Sequence, residues 1–252
     1  MIYFLGKLLY SQFEIFSFFR LADSIMARAI GAALTAILLT LSITPMFIRY
    51  LHKRGVVDQW RSTGVASPSD KTGTPAMGGM IVIGCVLVSC LLWCNLLNKY
   101  ILSVLVAMVF FGLIGMMDDV AKAKQKSGDH GLSESAKLVL QACFAAAFAA
   151  YVASPLTPLP PDQIGTFYIP FVKAPLFDSV WFYLPIVFFF VLVVGNSVNI
   201  TDGLDGLAIV PSLFVIGVLG IFGYILGNFN LSDYLIFTFM QGSGELTVFS
   251  AA

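Results

Sequence analysis

Two adjacent carboxylates, Asp118 and Asp119, directly follow a long apolar run that ends in Gly115-Met116-Met117. A carboxylate near hydrocarbon is costly to keep ionised unless it is paired or bound to a metal. Adjacent carboxylates also repel each other, and a divalent cation would relieve both costs. The alternative is a solvated helix end, which is disfavoured because negative charge at a helix C-terminus is electrostatically unfavourable. The pair is therefore a candidate catalytic and metal-binding site.

A second group of oxygen-bearing side chains follows the fifth apolar run. Asn199, Asp202 and Asp205 recur every three residues, so in a helix they would share one face. Gly203 and Gly206 would let a ligand approach the backbone closely. Hard oxygen ligands suit Mg²⁺, which binds phosphate oxygens together with one or two carboxylates. The alternative interpretation is a polar loop with Asx turns and glycine hinges.

A third segment, 71–79 (KTGTPAMGG), opens the second apolar run. Its glycines and the amides of the following helix could cradle an anion, with Lys71 adding positive charge. Glycine pairs also let membrane helices pack tightly, so this segment alone is weak evidence. Lys137, which opens the fourth apolar run, could contact a phosphate. Lys122, Lys124 and Lys126 are interpreted mainly as membrane anchors.

The elements that must position these residues are apolar helices. The chain is 58% hydrophobic and only 11% charged, whereas soluble domains carry about 25% charged residues. Continuously apolar runs favour helices over barrel strands in lipid. We predict an all-α fold, a polytopic transmembrane helical bundle that forms a single membrane domain over residues 1–252. Its six complete spans are 24–48, 77–97, 100–117, 135–153, 180–198 and 207–227, and a seventh begins near Leu246.

Two further elements are predicted outside these spans. Lys7, Ser11 and Glu14 form a polar stripe on an aromatic segment, which favours an interfacial helix along the membrane. A cleaved signal peptide is the alternative, but the charged region that should precede its apolar run is missing. Prolines and β-formers in the 154–179 loop predict a short periplasmic hairpin.

The distribution of lysine and arginine predicts the orientation. Loops 49–76 and 118–134 hold eight such residues, whereas the intervening loops hold Lys99 and Lys173. The richer loops are therefore cytoplasmic, and alternation of spans places 199–206 on the same side. Lys7 and Arg20 would then lie outside, which opposes the rule mildly. A formal net charge of zero gives no general attraction to nucleic acid.

Taken together, the three motifs resemble those of the phospho-N-acetylmuramoyl-pentapeptide transferases, within the polyprenyl-phosphate N-acetylhexosamine-1-phosphate transferase superfamily. The motifs are 71–79 (KTGTPAMGG), Asp118-Asp119, and 199–208 (NITDGLDGLA). The resemblance covers essentially the whole chain. It implies a Mg²⁺-dependent enzyme of the bacterial inner membrane, with its active site on the cytoplasmic face. Phospho-MurNAc-pentapeptide would pass from UDP-MurNAc-pentapeptide to undecaprenyl phosphate, giving lipid I and UMP in peptidoglycan synthesis. The resemblance is also compatible with a homodimer.

The resemblance also implies roles for individual residues. Asp118 would act as a base on the lipid phosphate or as a covalent nucleophile, and the sequence does not separate these mechanisms. Asp119 and Asp202 would organise metal or phosphate, so that the catalytic and metal set is Asp118, Asp119 and Asp202. Asn199 would orient one of these acids. The expected substrate-binding residues, for the nucleotide and its phosphates, are Lys71, Thr74, Lys137, Asn199, Gly203, Leu204 and Asp205.

One departure from the family pattern concerns length. Members have about ten spans and carry, beyond the seventh, a GDxGS-type motif with another metal-site aspartate and then a histidine-rich loop. The present chain ends at Ala252, so we expect a C-terminally truncated polypeptide that is inactive alone. Two alternatives stay open: a sibling transferase that moves GlcNAc-1-phosphate, and a non-catalytic transporter or scaffold. The second predicts that Asp118→Asn or Asp202→Asn leaves function intact.

Overall fold

The computed structural model describes residues 1–4, 6, 21–53, 78–124, 131–169, 172, 174–201 and 206–252. Most of the predicted interfacial helix, residues 7–20, lies outside these ranges. Helices dominate the described part of the chain. They are α1 (Ile25–Lys53), α2 (Gly78–Trp93), α3 (Lys99–Lys124), α4 (Glu134–Val152), α5 (Val180–Thr201), α6 (Ile209–Leu226), α7 (Phe229–Tyr234) and α8 (Glu245–Ala251).

Among the described residues, five helices are long and apolar enough to cross a membrane: α1, α3, α4, α5 and α6. The described part of α2 has 16 residues and is also apolar. Large apolar side chains point outward along these helices; Trp181 is 84% exposed and Phe190 is 67% exposed. Such surfaces need lipid rather than water. The predicted all-α polytopic membrane fold is therefore confirmed.

The predicted spans agree with the helices to within a few residues, with one informative exception. The third span was predicted to end at residue 117, but α3 continues to Lys124. Asp118 and Asp119 therefore lie inside the helix and not at its end. The two acids therefore do not oppose the dipole of a helix C-terminus, contrary to what was predicted, because that dipole effect fades beyond the last turn.

The chain falls into two compact units, and the first contains α1, α2, α3 and α8. Small buried side chains on α1 and α2, among them Ala32 and Ser89, let these two helices approach closely. Thr35 and Ser89 share a hydrogen bond of 2.9 Å between α1 and α2, and Ser89 also donates to the Ala32 carbonyl at 2.7 Å. The buried apolar cluster consists of Ala29, Ala32, Cys90, Cys94, Ile101, Leu105 and Val248.

The second unit, residues 135–243, contains almost all of α4 together with α5, α6 and α7. It also holds the antiparallel strands β1 (Thr166–Phe167) and β2 (Phe177–Asp178). Gly165 has φ +90° and accepts a hydrogen bond from the Ser179 amide at 3.0 Å. The predicted short hairpin is confirmed, whereas its periplasmic location stays a prediction. The single membrane domain predicted over residues 1–252 also stays a prediction.

Candidate functional site

Asp118 is a buried carboxylate, 8% exposed, on α3. Its Oδ1 accepts a hydrogen bond of 2.9 Å from the Leu132 amide, across the loop that precedes α4. Its Oδ2 lies 2.6 Å from Nζ of Lys122, one helical turn further along α3. An amide donor and a cation thus hold the two oxygens of the carboxylate in place.

Gly131 makes this arrangement sterically possible. A Cβ atom at residue 131 would overlap Asp118 Oδ1 and lie 3.0 Å from Cε of Lys122. Any larger residue would therefore move either the loop or the carboxylate. The absent side chain lets the backbone pass directly over the acid, so that the next amide can donate to it.

Asp119 is half-buried. Adjacent residues on an α-helix point roughly 100° apart, so the two acids face different directions. Both still offer hard oxygen donors of the kind that Mg²⁺ prefers. No group of three potential metal ligands gathers within the described ranges, but Asp202, the third acid of the predicted set, lies outside them. The carboxylate oxygens of Asp118 and Asp119 are therefore of a type that suits a magnesium site.

The other predicted residues are placed as follows. Lys137 is half-buried in the first turn of α4, and Asn199 is exposed in the last turn of α5. Both belong to the second unit, whereas Asp118 and Asp119 belong to the first. The convergence of these four residues stays a prediction. Outside the described residues lie Lys71, Thr74, Asp202, Gly203, Leu204 and Asp205.

Sequence reasoning missed three contributors to the Asp118 environment. Lys122 was interpreted as a membrane anchor, although its i, i+4 spacing from Asp118 is a recognised signal for a helical ion pair. Gly131 and the Leu132 amide carried no such local signal, because their contact depends on how the loop folds back. The lysine could have been found from spacing, whereas the glycine could not.

The matching family model is Glycosyl transferase family 4, which covers residues 101–249, more than half of the chain. The matched region includes α3 with its aspartate pair and the membrane helices that follow. The chain belongs to this family of transferases.

Two curated relatives narrow the likeness further. The chain is 39% identical over 236 residues to a phospho-N-acetylmuramoyl-pentapeptide-transferase from Desulfovibrio desulfuricans, covering 94% of this chain and 64% of that protein. It is 40% identical over 244 residues to a protein of the same name from Desulfotalea psychrophila, covering 96% of this chain and 66% of that one. The present chain thus spans about two thirds of the length of each relative.

Proposed function

We propose that this protein transfers phospho-MurNAc-pentapeptide from UDP-MurNAc-pentapeptide to undecaprenyl phosphate, releasing UMP and forming lipid I. Membership of Glycosyl transferase family 4 and the names of the two relatives support this reaction class and the transferred phospho-MurNAc-pentapeptide group. The structural observation that carries the proposal is Asp118, a buried carboxylate held by two donors on a membrane-spanning helix. A carboxylate held in this way costs solvation energy, and such groups cluster at functional sites.

In the proposed reaction, an oxygen of the lipid phosphate forms a bond to the sugar-linked phosphorus of the UDP-sugar. The bond from that phosphorus to the bridging oxygen breaks, and UMP leaves with the electron pair. Asp118 acts either as a base that keeps the attacking phosphate ionised or as a nucleophile that first takes the phospho-sugar. Lys122 holds Oδ2 and the Leu132 amide holds Oδ1, so the carboxylate is oriented before substrate binds.

Mg²⁺ is part of the proposal. When bound, it would neutralise charge on the diphosphate, which is the main requirement of phosphoryl transfer. Asp118, Asp119 and Asp202 are the proposed ligands. The proposed phosphate contacts are Lys71 and Lys137, and the proposed nucleotide contacts are Thr74, Asn199, Gly203, Leu204 and Asp205.

The proposed location is the inner membrane of a bacterium, with the site on the cytoplasmic face. A substrate phosphate attached to a polyprenyl chain can reach only a site at the bilayer surface. The multi-pass helices supply the membrane domain, and the lysine-rich loops favour the cytoplasmic side. Asp118 lies about two turns before Lys124 on α3, toward the lysine-bearing end of that helix, and this position supports a site near the membrane surface. A homodimer stays compatible with this location.

The test is lipid I formation in proteoliposomes that contain undecaprenyl phosphate, MgCl₂ and radiolabelled UDP-MurNAc-pentapeptide. Two proteins are compared: the 252-residue chain, and a fusion protein that continues it with the portion of the Desulfovibrio desulfuricans relative that follows the match. We expect turnover by the fusion protein, none by the 252-residue chain alone, and loss of turnover when EDTA removes the metal. UDP-GlcNAc in place of the muramoyl substrate should give no lipid product.

The positive control is the intact Desulfovibrio desulfuricans relative in the same vesicles. A fusion protein that inserts correctly but gives no lipid I, while the control turns over, would contradict the proposed function. Preferential use of UDP-GlcNAc would assign the protein to the sibling reaction instead. Robust turnover by the 252-residue chain would refute the expectation that it is inactive alone.

A further inference from the structure

Two amide side chains meet between membrane-spanning helices of the second unit. Nδ2 of Asn196, on α5, donates hydrogen bonds of 2.8 Å to Oε1 of Gln141 on α4 and to the Leu192 carbonyl. Gln141 is only 8% exposed. Both helices qualify as membrane spans, and a buried amide in such surroundings is costly unless its hydrogen bonds are made. The contact therefore joins α4 to α5 within the membrane-spanning part of each helix.

Two of the proposed substrate contacts lie one helical turn beyond this bond. Lys137 precedes Gln141 by four residues on α4, and Asn199 follows Asn196 by three residues on α5. Residues three or four apart share a helix face. Successive spans cross the membrane in opposite directions, so a step backwards on α4 and a step forwards on α5 lead to the same membrane surface. The Gln141–Asn196 bond thus lies one helical turn from both Lys137 and Asn199.

We propose that Gln141 is a positioning residue that acts through Lys137. By bonding Asn196, Gln141 fixes the level of α4 against α5 and holds Lys137 beside Asn199. The role of Lys137 toward a substrate phosphate rests on the proposed function, whereas the alignment of the two helices does not. A long, flexible lysine side chain has several rotatable bonds, so its usefulness as a phosphate contact depends on where its backbone is held.

The alignment is tested first by cross-linking, which needs no substrate. Lys137→Cys and Asn199→Cys are combined in a Cys143→Ala background, because Cys143 is exposed, and the protein in nanodiscs is treated with a short bis-maleimide. We expect rapid intramolecular cross-linking, slowed at least about fivefold by adding Gln141→Leu. Moving the second cysteine to Ser197 is the control, because two residues turn the side chain roughly 200° around the helix.

The positioning role is tested by binding of UDP-MurNAc-pentapeptide to the fusion protein in nanodiscs, measured by calorimetry. Gln141→Leu should weaken binding about tenfold when Lys137 is present and have little effect in a Lys137→Ala background, because it acts through that lysine. Exchanging the two amides, Gln141→Asn with Asn196→Gln, keeps a neutral donor and acceptor between the helices and should restore most of the affinity. Gln241→Leu, the same change at an exposed position, should leave the affinity unchanged.

The outcomes separate the two proposals. Equal losses of affinity from Gln141→Leu with and without Lys137 would indicate a general structural effect and overturn the positioning role. Unchanged cross-linking in Gln141→Leu would overturn the alignment itself. A fusion protein that binds no UDP-MurNAc-pentapeptide would count against the proposed function, while the cross-linking result would still decide whether Gln141 aligns α4 with α5.

Discussion

Two ion pairs in the described part of the first unit differ greatly in construction. Asp118 and Lys122 lie four residues apart on one helix, and the lysine side chain is 31% exposed. Arg28 and Glu245 lie 217 residues apart, and their side chains are 2% and 10% exposed. The first pair joins neighbours on one helix, whereas the second joins the start of α1 to the start of α8.

The Arg28 pair is surrounded by further contacts. Its guanidinium donates to both carboxylate oxygens of Glu245, at 2.7 and 2.5 Å, and lies 4.6 Å from the ring centre of Tyr3. Glu245 also accepts a hydrogen bond of 3.2 Å from the Asn95 amide. This two-point geometry is specific to arginine and leaves little freedom.

The two ion pairs differ in how easily they can be opened, and this difference indicates different roles. A lysine gives a single-point contact on a flexible stem, and a partly exposed one can be exchanged for a substrate or a cation at small cost. A buried bidentate pair cannot be opened without leaving a charge unpaired. The Asp118 pair therefore suits a reacting site, and the Arg28 pair suits a permanent link between helices.

The largest expected effect is on Asp118. Asp118→Asn keeps the shape of the side chain but removes the charge, so the fusion protein should lose at least about a thousandfold in lipid I formation. Its thermal stability in nanodiscs should change little. The matched control is Asp233→Asn, on α7 of the second unit, which should retain activity. Substantial turnover by Asp118→Asn would remove Asp118 from the reaction.

The next effect concerns stability. Glu245→Ala leaves Arg28 buried without its partner, and breaking a pair of this kind costs about 3–5 kcal/mol. The free energy of unfolding of the 252-residue chain can be followed in mixed micelles with increasing SDS. Arg28→Leu combined with Glu245→Leu should recover most of the loss, because neither charge is then left alone. A change below about 0.5 kcal/mol in Glu245→Ala, the usual range of surface substitutions, would contradict a permanent link.

A smaller effect is expected at Gly131. In Gly131→Ala the new methyl group overlaps Asp118 Oδ1, so the carboxylate or the loop must shift. Misplacement by about 1 Å can cost around a hundredfold in rate, and we expect a 10- to 100-fold lower kcat/KM in the fusion protein. Gly84→Ala is the control, because no atom lies within 4 Å of a Cβ there. Equal activities of the two variants would show that the loop does not position Asp118.

The smallest expected change in stability is that of Lys122→Gln. A partly exposed pair of this kind contributes about 0–1 kcal/mol to folding, so the unfolding midpoint should hardly move. The kcat/KM of the fusion protein should nevertheless fall about tenfold, because Asp118 loses the cation that orients Oδ2. Lys99→Gln, an exposed lysine at the other end of the same helix, should leave both values unchanged. If Lys122→Gln lowered the free energy of unfolding as much as Glu245→Ala does, the Asp118–Lys122 pair would also be a structural link, and the proposed difference in role would be wrong.

The fold was predictable from the sequence because lipid imposes a simple rule on it. Long apolar runs must form helices, and the run of residues 180–198 became α5 almost residue for residue. The end of α3 was not predictable in this way, since hydropathy marks where the membrane ends and not where the helix ends. Val120 and Ala121 continue the helix beyond the apolar run.

The candidate site was predictable only in part. Asp118 was identified because an ionised carboxylate beside hydrocarbon is costly unless it is paired or metal-bound. Local sequence alone shows such a residue. The contacts of Gly131 and Glu245 depend on long-range folding, which composition and spacing do not encode. Arg28 lies within the predicted first span, and only its partner far along the chain shows its role.

The separation between Arg28 and Glu245 also has a consequence for biosynthesis. At about 5–20 residues per second, the ribosome adds the intervening 217 residues in roughly 10–40 seconds. During that time α1 is already made, and its arginine must be solvated by water, lipid headgroups or the insertion machinery. Nascent chains arrested before residue 245 should therefore react at Arg28 with a water-soluble arginine reagent, and chains released after residue 252 should be protected.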